Sequence, residues 1–296
     1  MAILNLCFGD NMSFLPELAS GSIDLIYIDP PFNTGRTQER TQIKTIASTE
    51  GDRVGYKGKR YKTIKLGTLG YADIFDDYIG FLEPRLVEAE RILSDNGSIL
   101  FHIDYREAHY CKLLLDYIFG RDSFMNEIIW AYDYGARSKK RWSAKHDSIF
   151  WYAKNPKKYI YHYDSIDRIP YLAPSLVGKE KAARGKTPTD VWWQTIVSPN
   201  SKEKTGYATQ KPLKIMRRII NVHSNEDSVV MDFFAGSGSF GKAALELGRD
   251  CYLIYKNPEA IDVMKKRFAG EEIVFRDHAQ IIKYALRKGN SLCFFF

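Results

Sequence analysis

Short apolar runs, each stopped by turn residues and followed by a stretch of helical spacing, recur along most of this chain. Ile3 to Phe8 is the first, closed by Gly9-Asp10. Met12 to Leu18 predicts a short helix, and Ile23 to Ile28 predicts a buried strand that stops at Asp29-Pro30-Pro31-Phe32. Tyr78, Phe81, Leu82, Leu86, Ala89 and Ile92-Leu93 share one face of a helix predicted over residues 76–93, with a stop and turn at Ser94-Asp95-Asn96-Gly97. A strand over Ser98 to Ile103 and a helix over Glu107 to Phe119 follow. After Gly206 the alternation resumes, with a helix from Leu213, a strand from Asp227 to Phe234, a helix ending at Leu247, a strand from Cys251 to Tyr255 and a helix from Pro258. A last strand at Ile273 to Phe275, a last helix at His278 to Arg287 and an apolar tail packed on the body or on a partner chain complete the expectation. Alternating strands and helices predict an α/β fold with a parallel sheet covered on both faces.

Two stretches break the rhythm. From Arg36 to Gly70 the apolar period vanishes, and nine basic residues face three acids, so this segment is expected to be a mobile basic loop. From Asn126 to Thr205 two strands, at Glu127 to Trp130 and Ser148 to Tyr152, enclose a basic loop holding Arg137, Lys139, Lys140 and Arg141. The remainder is rich in Tyr, Trp, Lys and Pro without clear period. Basic residues interleaved with aromatics suit a surface that reads nucleic acid.

Composition narrows the partners. The 296 residues carry a net charge of +7, which favours a polyanion without distinguishing DNA from RNA or a membrane surface. The four cysteines are scattered, with neither zinc spacing nor a disulfide framework, so no metal site is expected and the compartment is read as reducing and cytoplasmic. No run is long enough to span a bilayer and no leader is read at the start, so no membrane partner is expected.

The chemistry sits at two strand ends. Pro30 and Pro31 cannot donate to a sheet ladder, so the strand must stop there and hold the Asp29 carboxylate at its carboxyl edge. Phe32 adds a flat apolar face. Acceptors beside an aromatic platform suit a planar ring bearing an amino group. Asp232-Phe233-Phe234-Ala235-Gly236-Ser237-Gly238 is a strand, a tight turn and a helix start, where glycines let backbone approach a ligand closely. A nicotinamide oxidoreductase would use such a turn, but explains neither the basic stretches nor Asp-Pro-Pro.

In motif order the chain resembles the β-class, circularly permuted DNA amino-methyltransferases. Asp-Pro-Pro-Phe comes first, a target-recognition region follows, and Phe234-Ala235-Gly236-Ser237-Gly238 comes late. Gly9-Asp10 and Thr209-Gln210-Lys211-Pro212 are similar to family elements too. The resemblance implies a Rossmann-like methyltransferase sheet with helices on both faces and an inserted target-recognition region. Its organisation would be residues 1–125 as a catalytic half, 126–205 as the recognition region and 206–296 as a cofactor-binding half. It implies methyl transfer from S-adenosyl-L-methionine to N6 of adenine in double-stranded DNA after base flipping. Asp29, Pro30, Pro31 and Phe32 would hold the base. Phe234, Ala235, Gly236, Ser237 and Gly238 would cradle the cofactor. Asp232 or Asp29 would pair with its ammonium, Asp10 with its adenine amine, and Thr209 and Lys211 with its carboxylate end. Arg137, Lys139, Lys140 and Arg141 would meet DNA. A homodimer and a cognate restriction endonuclease are the further partners the family suggests. One departure stands out: Tyr255 occupies the strand end where the family carries an acid on the ribose hydroxyls. A catalytically silent DNA-binding subunit and a cytosine-N4 enzyme are the alternative readings.

Overall fold

The computed structural model describes residues 2–33, 36–47, 53–54, 60–73, 75–198, 200–207 and 209–279. Strands β1 (Leu4–Phe8) and β2 (Ile23–Ile28) open the chain. β3 (Arg36–Ala47), β4 (Arg53–Val54) and β5 (Arg60–Asp73) follow, then α1 (Tyr78–Ile92), β6 (Leu93–Asp104) and α2 (Ala108–Phe119). Next come β7 (Phe124–Ala131), β8 (His146–Ala153), the short α3 (Lys179–Arg184) and β9 (Val191–Trp193). The last part holds α4 (Leu213–His223), β10 (Val229–Asp232), α5 (Ser239–Glu246), β11 (Asp250–Tyr255), α6 (Pro258–Arg267) and β12 (Ile273–Asp277). The expected last helix and the apolar tail lie outside the described residues beyond position 279.

Among the described residues nine strands form one sheet in the order β12-β1-β11-β10-β2-β6-β8-β7-β9. All neighbours are parallel except β8, which runs antiparallel between β6 and β7. Alternation along β2 sends Leu25 and Tyr27 to one face and Ile26 and Ile28 to the other. The first face packs on the apolar stripe of α4, with Ile215, Met216, Ile219 and Ile220, and on α5 and α6. The second packs on α1 and α2 through Leu82, Leu86, Cys111 and Leu115. Both faces of the sheet are therefore covered, which is why its strands read as continuous apolar runs.

From β2 the chain moves through α1 to β6 on one side. From β10 it moves through α5 to β11 on the other. The order reverses between β10 and β2, which pair in parallel. Such a reversal opens a crevice beyond the carboxyl ends of the two strands.

Several expectations are corrected. Residues 36–70, expected to be a loop, instead carry an antiparallel ribbon in which β3 pairs with β5 from Arg36↔Asp73 to Ala47↔Tyr61. Thr, Ile and Tyr recur along both strands and favour extended backbone, but the apolar positions are too sparse to show a period. The helix expected over Met12 to Leu18 is two 3₁₀ turns, Asn11–Ser13 and Leu15–Glu17, because Pro16 has no amide to continue a ladder. The turn expected at Ser94 to Gly97 is the irregular start of β6, where the register against β2 shifts between Ile23 and Leu25. The two strands expected at Glu127 to Trp130 and Ser148 to Tyr152 are present as β7 and β8, and with β9 they extend the main sheet.

Candidate active site

The crevice between β10 and β2 brings the two sequence anchors together. Asp29, Pro30, Pro31 and Phe32 form one wall of a cleft, and Phe234, Ala235, Gly236 and Ser237 form the other. Thr209, Lys211, Asp232 and Tyr255 complete the lining that the sequence singled out. Asp10 sits in an adjoining hollow that shares Pro31, Phe234 and Tyr255 with the cleft. Gly238 does not line the cleft. It takes a left-handed conformation, φ 72°, at the start of α5, and a Cβ there would fall 2.9 Å from Met264 and Phe268. Gly236 is also left-handed, φ 51°, and keeps the turn tight beside the ring of Tyr207.

Asp29 is fixed from two sides. Its Oδ2 accepts a short hydrogen bond from the Lys211 ammonium, which also lies 5.2 Å from the centre of the Phe32 ring. Asp29 Oδ1 is buried without a hydrogen-bond partner among the described residues and lies 3.7 Å from His102 Nδ1. His102 is buried at 1% exposure on β6. Its Nδ1 is 2.7 Å from the Tyr27 hydroxyl and its Nε2 is 3.2 Å from Asp147 Oδ2. Burial alone would push the Asp147 carboxyl up, but the His102 hydrogen bond and charge, helped by Lys211 and Tyr132, hold it below the usual range.

Asp232 differs. It is 3% exposed, and its Oδ1 accepts the Phe234 amide at 2.9 Å. No cation pairs with it among the described residues. Burial, with the nearby Asp29 charge, pushes its pKa up to about 8. Burial therefore favours its neutral form at neutral pH, and the Lys211 charge in the same cleft offsets this only in part.

In the adjoining hollow, Arg85 donates to Asp10 at 3.1 Å and to Asn11 at 2.7 Å, with its guanidinium 3.9 Å over the Phe81 ring. Asn11 donates to the Phe233 carbonyl at 3.1 Å, tying the end of β1 to the end of β10. Lys256 approaches Asp10 at 3.6 Å. Where the hollow meets the cleft, the hydroxyls of Tyr255 and Tyr207 stand 2.9 Å apart. Gln210, buried, accepts from Thr205 and donates to the Glu203 carbonyl at 2.6 Å, so it shapes the turn that delivers Lys211.

Arg137, Lys139, Lys140 and Arg141 lie on the exposed loop between β7 and β8, outside the cleft. Arg137 pairs with Asp133 at 2.8 Å. Trp142, next to Arg141, is 99% exposed. Arg141 lines a surface groove with Asp104, Tyr132, Lys145 and Asp147. Sequence reasoning missed Tyr27, His102, Asp147, Tyr207, Asn11 and Arg85. Each sits inside a predicted element or turn and carries no motif of its own.

The cleft and the hollow set carboxyl groups beside aromatic faces. Asp232 is a buried carboxyl with no ion pair among the described residues, and the hollow is lined by Phe75, Phe81 and Phe233 together with Asp10. The DNA methylase family profile, for N6 and N4 methyltransferases, matches residues 23–266. Type II methyltransferase M.HpaI of Haemophilus parainfluenzae is 29% identical over 257 residues, covering 87% of this chain and 71% of that protein. DNA adenine methyltransferase YhdJ of Escherichia coli (strain K12) is 26% identical over 272 residues, covering 88% of this chain and 80% of that protein. The fold is similar to the cytosine-N4-specific PvuII DNA methyltransferase, with TM-score 0.61 at 14% identity over 95% of this chain and 91% of that one. It is also similar to the M1.HpyAVI–SAM complex, with TM-score 0.57 at 20% identity over 89% of this chain and 98% of that one.

Proposed function

The chain belongs to the DNA methylase family, and on that premise we propose that it methylates an exocyclic amine in double-stranded DNA, N6 of adenine, with S-adenosyl-L-methionine as donor. The observation that carries the reading is the meeting of Asp29-Pro30-Pro31-Phe32 and the glycine turn after β10 across one cleft. Adenine is favoured over cytosine-N4 by the Asp heading the double proline and by the adenine relative, whose match spans 88% of this chain.

S-Adenosyl-L-methionine, when bound, supplies an electrophilic methyl group on a sulfonium. The residues present fit it: Asp232 for the ammonium, the Tyr255–Tyr207 hydroxyls for the ribose, and the hollow between Phe81 and Phe233, with Asp10 at its rim, for the purine. The amine of the target base is a weak nucleophile because its lone pair is delocalised into the ring. Asp29 and the Pro30 carbonyl accept its N–H bonds and turn the lone pair out of the plane. They also stabilise the positive charge that develops on nitrogen. Lys211 fixes the Asp29 rotamer, and Phe32 stacks on a base that has left the duplex. The basic loop carrying Arg137, Lys139, Lys140 and Arg141 meets phosphates, and exposed Trp142 offers a stacking face beside it. Type II methyltransferases among the relatives support a restriction-modification setting with a cognate endonuclease. The reading implies a cytoplasmic location.

The test is incubation of the purified chain with unmethylated genomic DNA and radiolabelled S-adenosyl-L-methionine, followed by mapping of modified bases. Label on N6 of adenine at a recurring sequence is expected. Label on N4 of cytosine would transfer the reading to the cytosine enzymes. A chain that binds DNA but transfers nothing would be the silent subunit.

A further inference from the structure

The Tyr27, His102 and Asp147 chain behind Asp29 has no part in binding the base, yet it is buried and connected. Asp147 lies on β8, His102 on β6 and Tyr27 on β2, so three adjoining strands of the sheet supply it. Resting on the reading above, we propose that His102 and Asp147 carry away the proton that methylation releases.

Methyl transfer forms a C–N bond to the amine and breaks the C–S bond of the sulfonium, which becomes a neutral thioether. The nitrogen is left with a positive charge and must lose one proton to give the neutral methylamino product. Asp29 is the acceptor that touches that nitrogen. The relay needs an imidazole whose Nε2, 3.2 Å from Asp147, carries the proton and whose Nδ1, 2.7 Å from the Tyr27 hydroxyl, is open to receive one. A proton taken by Asp29 passes from its carboxyl, after a turn about Cβ–Cγ, to His102 Nδ1 at 3.7 Å as the Tyr27 hydroxyl rotates off that nitrogen. The imidazolium then stands between two carboxylates, and its Nδ1–H supplies the donor that the buried Asp29 Oδ1 otherwise lacks. An unpartnered buried acceptor facing a ring nitrogen is costly in a resting site and useful in one that receives protons there.

The exit is also present. The Nε2 proton leaves through Asp147, which borders the solvent groove lined by Asp104, Arg106, Tyr132 and Lys145. The charged and titratable groups around the ring are Tyr27 and Asp29 at the end of β2, Asp147 on β8 with Tyr132 beside it, Lys211 behind Asp29, and Asp232, which acts on Tyr27 once ionised. His102 and Asp147 act through Asp29, so they are positioning and proton-handling residues rather than groups that touch the base.

The measurement is the single-turnover rate of methyl transfer to unmethylated genomic DNA, from pH 6 to pH 9, for wild type, Asp147→Asn and His102→Gln. Asp147→Asn is expected to slow transfer by about 30-fold at pH 7, with the deficit narrowing toward pH 9 as solvent takes the proton instead. Its dissociation constants for S-adenosyl-L-methionine and for DNA should match wild type. Added imidazole should restore part of the rate to a His102→Gly variant. Wild-type rates in Asp147→Asn, or a slowing equal at every pH, would overturn the relay while leaving the methyltransferase reading intact. A wild type that transfers no methyl group would overturn that reading itself. If the His102 variants fail to fold, a folded Asp147→Asn decides the matter alone.

Discussion

Two carboxyl groups stand at the ends of neighbouring strands in one cleft, in opposite surroundings. Asp29, after β2, is bonded to an ammonium and faces an imidazole. Asp232, ending β10, holds one backbone amide, and burial keeps its proton on up to about pH 8. The first is a carboxylate with its charge answered within the protein. The second is a buried carboxyl with no ion pair among the described residues, held toward its neutral form by burial. On the proposed reading the contrast gives them different tasks: Asp29 would work on a neutral amine that becomes positive, and Asp232 on a group that arrives positive.

Removing Asp29 should do the most damage. Asp29→Ala deletes the acceptor for the target amine and strands the Lys211 ammonium, which is only 12% exposed in its side chain. Methyl transfer should fall by at least about a hundredfold, the scale for losing a preorganised electrostatic contact. Cofactor and DNA affinities should stay within a few-fold. Full turnover in that variant would break the comparison outright.

Asp232→Asn should act through pH instead. Because the folded pKa lies above the ordinary 3.8, Asp232 contributes stability that is complete below that value and is lost as pH rises to about 8. Measured melting temperatures should therefore fall less steeply between pH 5 and pH 8.5 in Asp232→Asn than in wild type. For wild type, S-adenosyl-L-methionine should bind about tenfold tighter for each unit that pH rises toward 8, since its ammonium needs the ionised carboxyl. The variant should show no such slope. A wild-type dissociation constant that ignores pH would show that Asp232 does not meet the ammonium.

The smallest effect concerns Tyr255. Tyr255→Phe removes the hydroxyl 2.9 Å from Tyr207 and should weaken the cofactor by about fivefold, the worth of one hydrogen bond of roughly 1 kcal/mol. Equal loss in Tyr207→Phe would sharpen the pairing. An unchanged dissociation constant in both, read by calorimetry, would remove the phenols from the ribose site.

Much of this was legible before any coordinates. Two prolines cannot prolong a ladder, so Asp29 had to stand at a strand end. Glycines at 236 and 238 mark a turn that only a residue without a Cβ takes easily, and the structure shows φ 51° and 72° there. Strand and helix order, and hence the α/β class, followed from apolar spacing, because a sheet covered on both faces demands continuous apolar strands.

Other features depended on the folded chain. The ribbon of β3 and β5 has too few apolar positions to announce itself; it exists because the two strands pair with each other. Tyr27 and His102 are 75 residues apart, His102 and Asp147 are 45 apart, and Lys211 reaches Asp29 across 182 residues. Local chemistry dictates where a strand must stop and where a turn must be glycine. Which distant side chains then share one low-dielectric cleft, and whether a carboxyl there is answered or left waiting, is set by the order in which the strands pair.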